Sequence, residues 1–437
     1  MTARVLLGEE IVSEVVSQPI EIDELSLQAQ SDPASIELDK IDVSDPSLFE
    51  YDKLWGYFER LRKEDPVHHC EDSAFGPFWS VTRYKDIMAV DTNHEDFSSE
   101  PAILLGDQPD DFEFVNFIAL DPPIHDLHRA AVTGVVAPRN LAELEPIIRT
   151  RAAEILDSLP LRETFNWVDR VSIELTTQML ATIFDFPFED RKLLTHWSDV
   201  AIATPEMTGG SDITEEYRRE QMGECIQYFS KLWHERANQP VQFNLLSMLA
   251  HNPNTKTMIE RPMEFLGTLM LLIIGGNDTT RNSISGGVLA LNENPDQYAK
   301  LRADLSLIPN MVSEIIRWQT PLSHMRRTAT RDLEFGGKPI KKGDKVVMWY
   351  VSGNRDDSVI ENPNAFVIDR QRARQHLSFG FGIHRCMGNR LAEMQLRVLW
   401  EEIMKRFEKV ELVGPPRRVR SNFVRGYSEL PVRLHPA

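Results

Sequence analysis

The stretch RPMEFLGTLMLLIIGGNDTTRNSISGGVLALNEN spaces apolar residues three or four apart from Pro262 to Asn294-Pro295, and no other feature restricts the fold as strongly. Pro262 suits a first helical turn. The second proline ends the run after about 30 residues, so at 1.5 Å per residue the rod measures about 45 Å. A helix of that length crosses the whole molecule, and the rest of the chain must be laid around it. Its apolar part, FLGTLMLLII (265 to 274), is about half of the roughly 20 residues a membrane span requires, so burial in protein is predicted. In the middle stands GGNDTT (275 to 280), where two glycines each sacrifice up to about 1 kcal/mol of helix propensity. Such a pair serves as a kink or packing contact, or as a groove in which a ligand lies against the backbone.

With 437 residues, 42% of them hydrophobic, the chain can bury a large core, and length alone would allow two or three domains. No repeat, low-complexity tract or Gly/Ser linker divides it after residue 53, so residues 53–437 are expected to form a single domain. Residues 1–52 differ. They hold thirteen Asp or Glu against Arg4 and Lys40, a net −11, whereas the other 385 residues carry −8; an acidic, partly irregular N-terminal arm is expected. The overall charge of −19 argues against general affinity for nucleic acid or anionic membrane, both of which need a basic surface. The start, MTARVLLGEEIVSEVVSQPIEIDELS, lacks the basic opening and apolar core of a signal peptide, so no membrane anchor and a cytoplasmic location are expected. Three dispersed cysteines, Cys70, Cys225 and Cys386, give no disulfide framework and suit a reducing compartment.

Helical periodicity also fills LAELEPIIRTRAAEILDSL, WVDRVSIELTTQMLATIF and YRREQMGECIQYFSKLWHERA. Strand signals are short: GPFWSVTR (76 to 83) alternates, and LEFGGKPIKKGDKVVMWYVSGNRD (333 to 356) offers β segments divided by Gly-Gly and Lys-Gly-Asp. The fold class is mainly α with a minor β part.

The second unusual stretch is SFGFGIHRCMGNR (378 to 390). Gly380 and Gly382 allow a tight turn, and MGNRLAEMQLRVLWEEIMKRF reads as a helix, so Cys386 lies where a helix begins. Free N–H groups and the helix dipole there stabilise a thiolate. A lone cysteine is most often a small buried hydrophobe. Three chemical roles compete with that: a nucleophile using His384 as base, a zinc ligand with His376 and His384, or an axial ligand to haem iron. The zinc spacing fits no usual structural site, and haem accounts for more of the loop, since a flat macrocycle requires small residues such as Gly382 and Gly388 against it.

Phe379-x-x-Gly382-x-x-x-Cys386-x-Gly388 resembles the haem-binding loop of the cytochrome P-450 monooxygenases, and companion motifs occur in the family's order. EIIR (Glu314, Arg317) resembles the Glu-x-x-Arg pair, with Arg370 as the third member of that structural network. GGNDTT resembles the distal-helix motif, and DPPIHDLHR (121 to 129) the helix that clamps the haem. The resemblance implies a triangular helical body with small β-sheets, the haem lying between the long distal helix and the cysteine loop. FIALDPPIHD, NWVDRVSIELTTQMLATIFDFP and TPLSHMRRTA further resemble the soluble bacterial class that hydroxylates the terminal carbon of alkanes and fatty acids.

By that resemblance Cys386 is the axial iron ligand of haem b, and Phe379, Gly380, Gly388 and Gly275 lie against the macrocycle. His125, Arg129, Arg327 and His384 face the propionates, while Arg326 and His128 are expected in surface ion pairs. Asp278 and Thr279 are the acid–alcohol pair that delivers protons to bound oxygen. Segments 98 to 120 and 200 to 225 are expected to form the lid of an apolar substrate pocket. With no flavin or nicotinamide module in the chain, two electrons must come from a ferredoxin and its NAD(P)H-dependent reductase. Arg370, Arg372, Arg374, Arg385, Arg390 and Arg397 are candidates for steering an acidic partner. The rival assignments are a hydroxylase of another apolar substrate (terpene, aromatic or alicyclic), a peroxide-driven or non-catalytic haem-thiolate protein, and a cysteine hydrolase.

Overall fold

The computed structural model describes residues 27–107, 114–203 and 213–437. Pro262–Glu293 is one helix of 32 residues, and its two halves lie in different cores. Phe265, Leu266, Leu269, Met270 and Ile273 pack with Phe184, Trp197 and Phe229. Ile284, Val288, Leu289 and Leu291 pack with Trp167, Ile315 and Trp400. GGNDTT falls between these halves, and both readings of its glycines apply. A Cβ on Gly276 would stand 2.9 Å from Leu180 Cδ1, whereas one on Gly275 would meet nothing within 4 Å. Gly276 is a packing contact; Gly275 borders open space.

The other periodic runs also fold as helices: Pro138–Asp157, Glu174–Phe184, Glu215–Ala237 and Asn389–Arg406. Their ends follow local chemistry. Thr214 caps Glu215–Ala237 by accepting from the Tyr217 N–H at 3.2 Å, with Glu215 and Glu216 in the positive first turn. Before Glu174 the chain runs through a wider π turn, Val168–Ile173.

The strands are short. The largest sheet runs Val67–Cys70, Phe78–Val81, Lys345–Met348, Met325–Ala329, Phe97–Ser98, antiparallel except between the second and third strands. Leu333–Phe335 and Lys338–Ile340 form a hairpin around Gly336-Gly337, whose φ values of +59° and +76° only glycine adopts freely. A mainly helical body with minor sheets is thus the observed class.

Residues 1–26 of the expected arm lie outside the described residues. Residues 27–52 contribute to the body, where Ile41, Val43, Leu48 and Phe49 are buried beside Phe58 and Trp349. Glu50 pairs with Arg420, and Asp52 with Arg418 and Arg425. A charge count along the chain misses this, because the matching arginines come from the opposite terminus.

His324 is buried between Trp349 and Phe423, with ring centroids 4.8 and 5.4 Å away. Burial lowers its pKa to about 4, and its Nε2 has no partner. Between pH 6.5 and 4 the unfolded chain therefore binds a proton that the native state refuses, and stability falls as pH drops. At 1.36 kcal/mol per pH unit the loss reaches about 3 kcal/mol over that window. His324→Gln is expected to flatten the dependence when urea unfolding is compared at pH 7 and pH 5. Equal pH slopes in the two proteins would contradict this.

Candidate active site

A cavity of about 330 Å³ separates the central helix from the cysteine loop. Gly275, Gly276, Thr279 and Thr280 line one side, and Phe379, Gly380, Cys386 and Gly388 the other. Its remaining walls are largely apolar, with Leu104, Phe117, Leu180, Met270 and Phe423 among them. Parts of both expected lid segments border it, at 102–104, 114, 116–119 and 201–202, while 108–113 and 204–212 lie outside the described residues.

Cys386 has a large accessible surface, yet protein encloses it: the surface it exposes is the cavity wall. Its N–H donates to the Phe379 carbonyl at 2.8 Å, closing the loop, and the following helix starts at Asn389 with Gly388 as its cap. Burial pushes the thiol pKa up, opposed by the backbone N–H groups of Gly388 and Asn389 and by the charges of Arg129 and Arg385. The neutral thiol is favoured until a cation binds the sulfur.

Arg129, Arg327 and His384 also reach the cavity. Arg129 Nη2 donates to the Arg385 carbonyl. His125 stacks edgewise on His384 with centroids 4.4 Å apart, and its Nε2 has no partner. His384 Nε2 lies 2.8 Å from Ser99 Oγ, leaving Nδ1 without one. Burial, then the nearby Arg327, His125 and Arg129, lower the His384 pKa to about 2, so the ring is neutral.

Arg327 is not free. Its Nη2 donates to Asp91 Oδ1 at 2.8 Å, and Asp91 Oδ2 accepts from Tyr350 Oη at 3.0 Å and from the Phe381 N–H at 2.8 Å. Asp91, Ser99 and Tyr350 escaped the sequence reading because none belongs to a spaced motif; Asp91 ends the helix Tyr84–Asp91 where an exposed cap would be the default.

The acid and the alcohol on the central helix face different ways. Thr279 lines the cavity and donates to the Gly275 carbonyl at 3.0 Å. Asp278 is fully buried away from it, accepting from Ser198 Oγ at 2.5 Å and standing 2.5 Å from Arg281, which also pairs with Asp199 at 2.7 Å. Consecutive helical residues are about 100° apart around the axis, so the pair could not share one face.

Glu314 and Arg317 form a two-pronged pair at 2.7 Å, both fully buried, and Arg370 Nε donates to the same carboxylate at 2.9 Å. Arg326 and His128 are buried as well, beside Asp107 and Glu264, and not on the surface as expected. Arg370 leaves the steering patch because Glu314 holds it, and Arg397 because it pairs with Glu145 and Glu401. Arg372, Arg374, Arg385 and Arg390 stay exposed.

Cys386, Arg129, Arg327 and His384 on the cavity wall form a donor set that fits haem b, one thiolate for iron and cations and an unpartnered imidazole nitrogen for two propionates, while His125, with its own unpartnered Nε2, lies behind His384 and does not line the cavity. Fold and site together therefore define a haem-thiolate protein. Residues 152–426 match the family model of cytochrome P450. Linalool 8-monooxygenase of Pseudomonas putida is 35% identical over 412 residues, 91% of this chain and 100% of that one. Methyl-branched lipid omega-hydroxylase of Mycobacterium tuberculosis is 31% identical over 86% of this chain and 90% of its own. The structure of CYP153D17 from Sphingomonas sp. PAMC 26605 superposes with a TM-score of 0.85 at 48% identity, covering 91% and 100%.

The chain belongs to the cytochrome P450 family. It is a monooxygenase with haem b as cofactor, using dioxygen and electrons from redox partners. Among the described residues no helix is long and apolar enough to cross a membrane.

Proposed function

We propose that the enzyme hydroxylates the terminal carbon of medium-length alkanes or fatty acids, receiving its electrons from a ferredoxin and a ferredoxin reductase. The carrying observation is the largely apolar cavity lined by Thr279 on one side and Cys386 on the other. The class resemblance of the sequence and the omega-hydroxylase among its relatives point the same way. Cys386 would hold the haem, which when bound would supply oxygen activation. The apolar walls orient an unfunctionalised chain and exclude bulk water.

Protons must then arrive by a defined route. Thr279 Oγ1 stands in the cavity to hold one, and Asp278 supplies it by exchanging its Ser198 and Arg281 contacts, with Arg281 linked to the half-exposed Asp199. Thr279→Ala and Asp278→Asn are each expected to lower product formation by about 10²- to 10⁴-fold, the usual scale of lost proton transfer. Nicotinamide oxidation should fall less, so the ratio of product to electrons drops. An unchanged ratio would remove the relay.

Terminal products from a panel of alkanes and fatty acids, read with substrate-induced spin shifts, test the substrate assignment; in-chain or aromatic products alone would overturn it. The linalool enzyme among the relatives favours a terpene as the second reading, and the same panel includes one. Arg372, Arg374, Arg385 and Arg390 would guide an acidic ferredoxin, so reduction by it should slow with rising salt.

A further inference from the structure

We propose that Asp91 is a positioning residue for the haem site: its carboxylate aims Arg327 and seats the cysteine loop, and its charge sets the potential of the iron. Asp91 is 3% exposed and collects three donors from three separate segments. Arg327 comes from a strand of the largest sheet, Tyr350 from the turn after Lys345–Met348, and Phe381 from the cysteine loop itself. The Arg327 guanidinium and the Phe381 N–H can only donate, so they and the Tyr350 hydroxyl favour the ionised carboxylate against burial, which pushes its pKa up.

The loop is fitted around this residue. Gly380 and Gly382 have φ values of +62° and +64°. A Cβ on Gly382 would stand 2.4 Å from the Asp91 carbonyl oxygen, and one on Gly380 would stand 3.3 Å from Asp91 Oδ2. Backbone and side chain of Asp91 thus each abut one of the two glycines that bring Phe379 and Cys386 to the cavity. Two consequences follow. The Phe381 N–H and the Arg327 guanidinium are held by one group, so the thiolate side and the propionate edge are mechanically joined. Asp91, ion-paired with Arg327, also places a negative charge in a low-dielectric interior beside an arginine that faces the haem cavity.

Reduction adds an electron at iron, and a nearby negative charge opposes it. Asp91→Asn keeps the shape and removes the charge, so the midpoint potential should rise. A three- to tenfold shift of the reduction equilibrium is expected, the upper limit being about 59 mV for one electron. The reduced, CO-treated protein should also lose its thiolate band faster, because an amide cannot accept from all three donors. Tyr350→Phe removes one donor that screens the carboxylate, so the potential should move down. Asp96→Asn, which breaks the pair with Arg331 and disturbs the contact from Asn93, neither of which borders the cavity, should leave the potential where it was.

Spectroelectrochemical titration of the haem-loaded variants decides the matter. Opposite shifts in Asp91→Asn and Tyr350→Phe support the proposal. An Asp91→Asn protein with unchanged potential and unchanged thiolate decay, altered only in thermal stability, overturns it. If Asp91→Asn does not accumulate with haem, the Tyr350→Phe titration stands alone, and the absence of a downward shift overturns the proposal.

Discussion

Cys386→Ser is expected to abolish the strongly red-shifted Soret band of the reduced, CO-treated protein and to bring product formation to background. The chemistry is local. Cys386 lies in a loop and exposes its sulfur to the cavity, so replacing that atom removes little packing. What is lost is ionisation. The thiol is held neutral mainly by burial, against the Gly388 and Asn389 N–H groups and the charges of Arg129 and Arg385, and iron must offset that cost. A serine hydroxyl in the same place is far harder to deprotonate, so the variant offers iron a weaker donor with no thiolate push toward O–O cleavage. Circular dichroism is expected to stay close to that of the parent protein. A variant that keeps both the band and turnover would dismantle the assignment of Cys386 and the reading of the cavity with it.

The elements most legible in the sequence are those carried by periodicity or by a fixed spacing. The central helix and the cysteine loop are local features, defined by Pro262, by Asn294-Pro295 and by glycines that a tight turn requires, so they can be read without knowing the fold. Glu314 and Arg317 could be paired from their i,i+3 spacing. The rest depends on distant contacts. Asp91 meets Arg327 across 236 residues and Phe381 across 290, and no local pattern encodes such a meeting. The same holds for Ser99 on His384 and for Ser198 on Asp278. Helix geometry alone sets Asp278 and Thr279 on different faces, but only the distant neighbours show that Thr279 faces the cavity and Asp278 a buried arginine. Arg326 looked like a surface cation for a similar reason, since its burial beside Asp107 is set by the sheet.

Arg317→Ala should produce a large loss of stability, because it leaves the buried Glu314 carboxylate with only Arg370 and the Val367 N–H as donors and removes a fully buried side chain. Glu314 and Arg317 are both fully buried, and Arg317 also donates to the carbonyls of Asn354, Pro363 and Ala365. Those contacts tie the helix Ile308–Gln319 to the segment that leads into the cysteine loop. Breaking a buried pair by removing one partner costs about 3–5 kcal/mol, against a total stability of about 5–15 kcal/mol. The variant is expected to accumulate little haem-loaded protein, measured as haem per chain and as the urea midpoint. Glu314→Gln should be less severe, since the amide keeps one acceptor for Arg317. Arg370→Ala should be milder still: Arg317 remains on the carboxylate, and the Arg370 guanidinium otherwise holds the carbonyls of Glu361, Asn362 and Ala365 near the surface. The double variant Glu314→Leu/Arg317→Met should recover part of the loss, because it removes the two fully buried charges and leaves only Arg370, which keeps the carbonyls of Glu361, Asn362 and Ala365. An Arg370→Ala protein as unstable as Arg317→Ala, or a double variant worse than either single change, would show that the network does not depend chiefly on the buried Glu314–Arg317 pair.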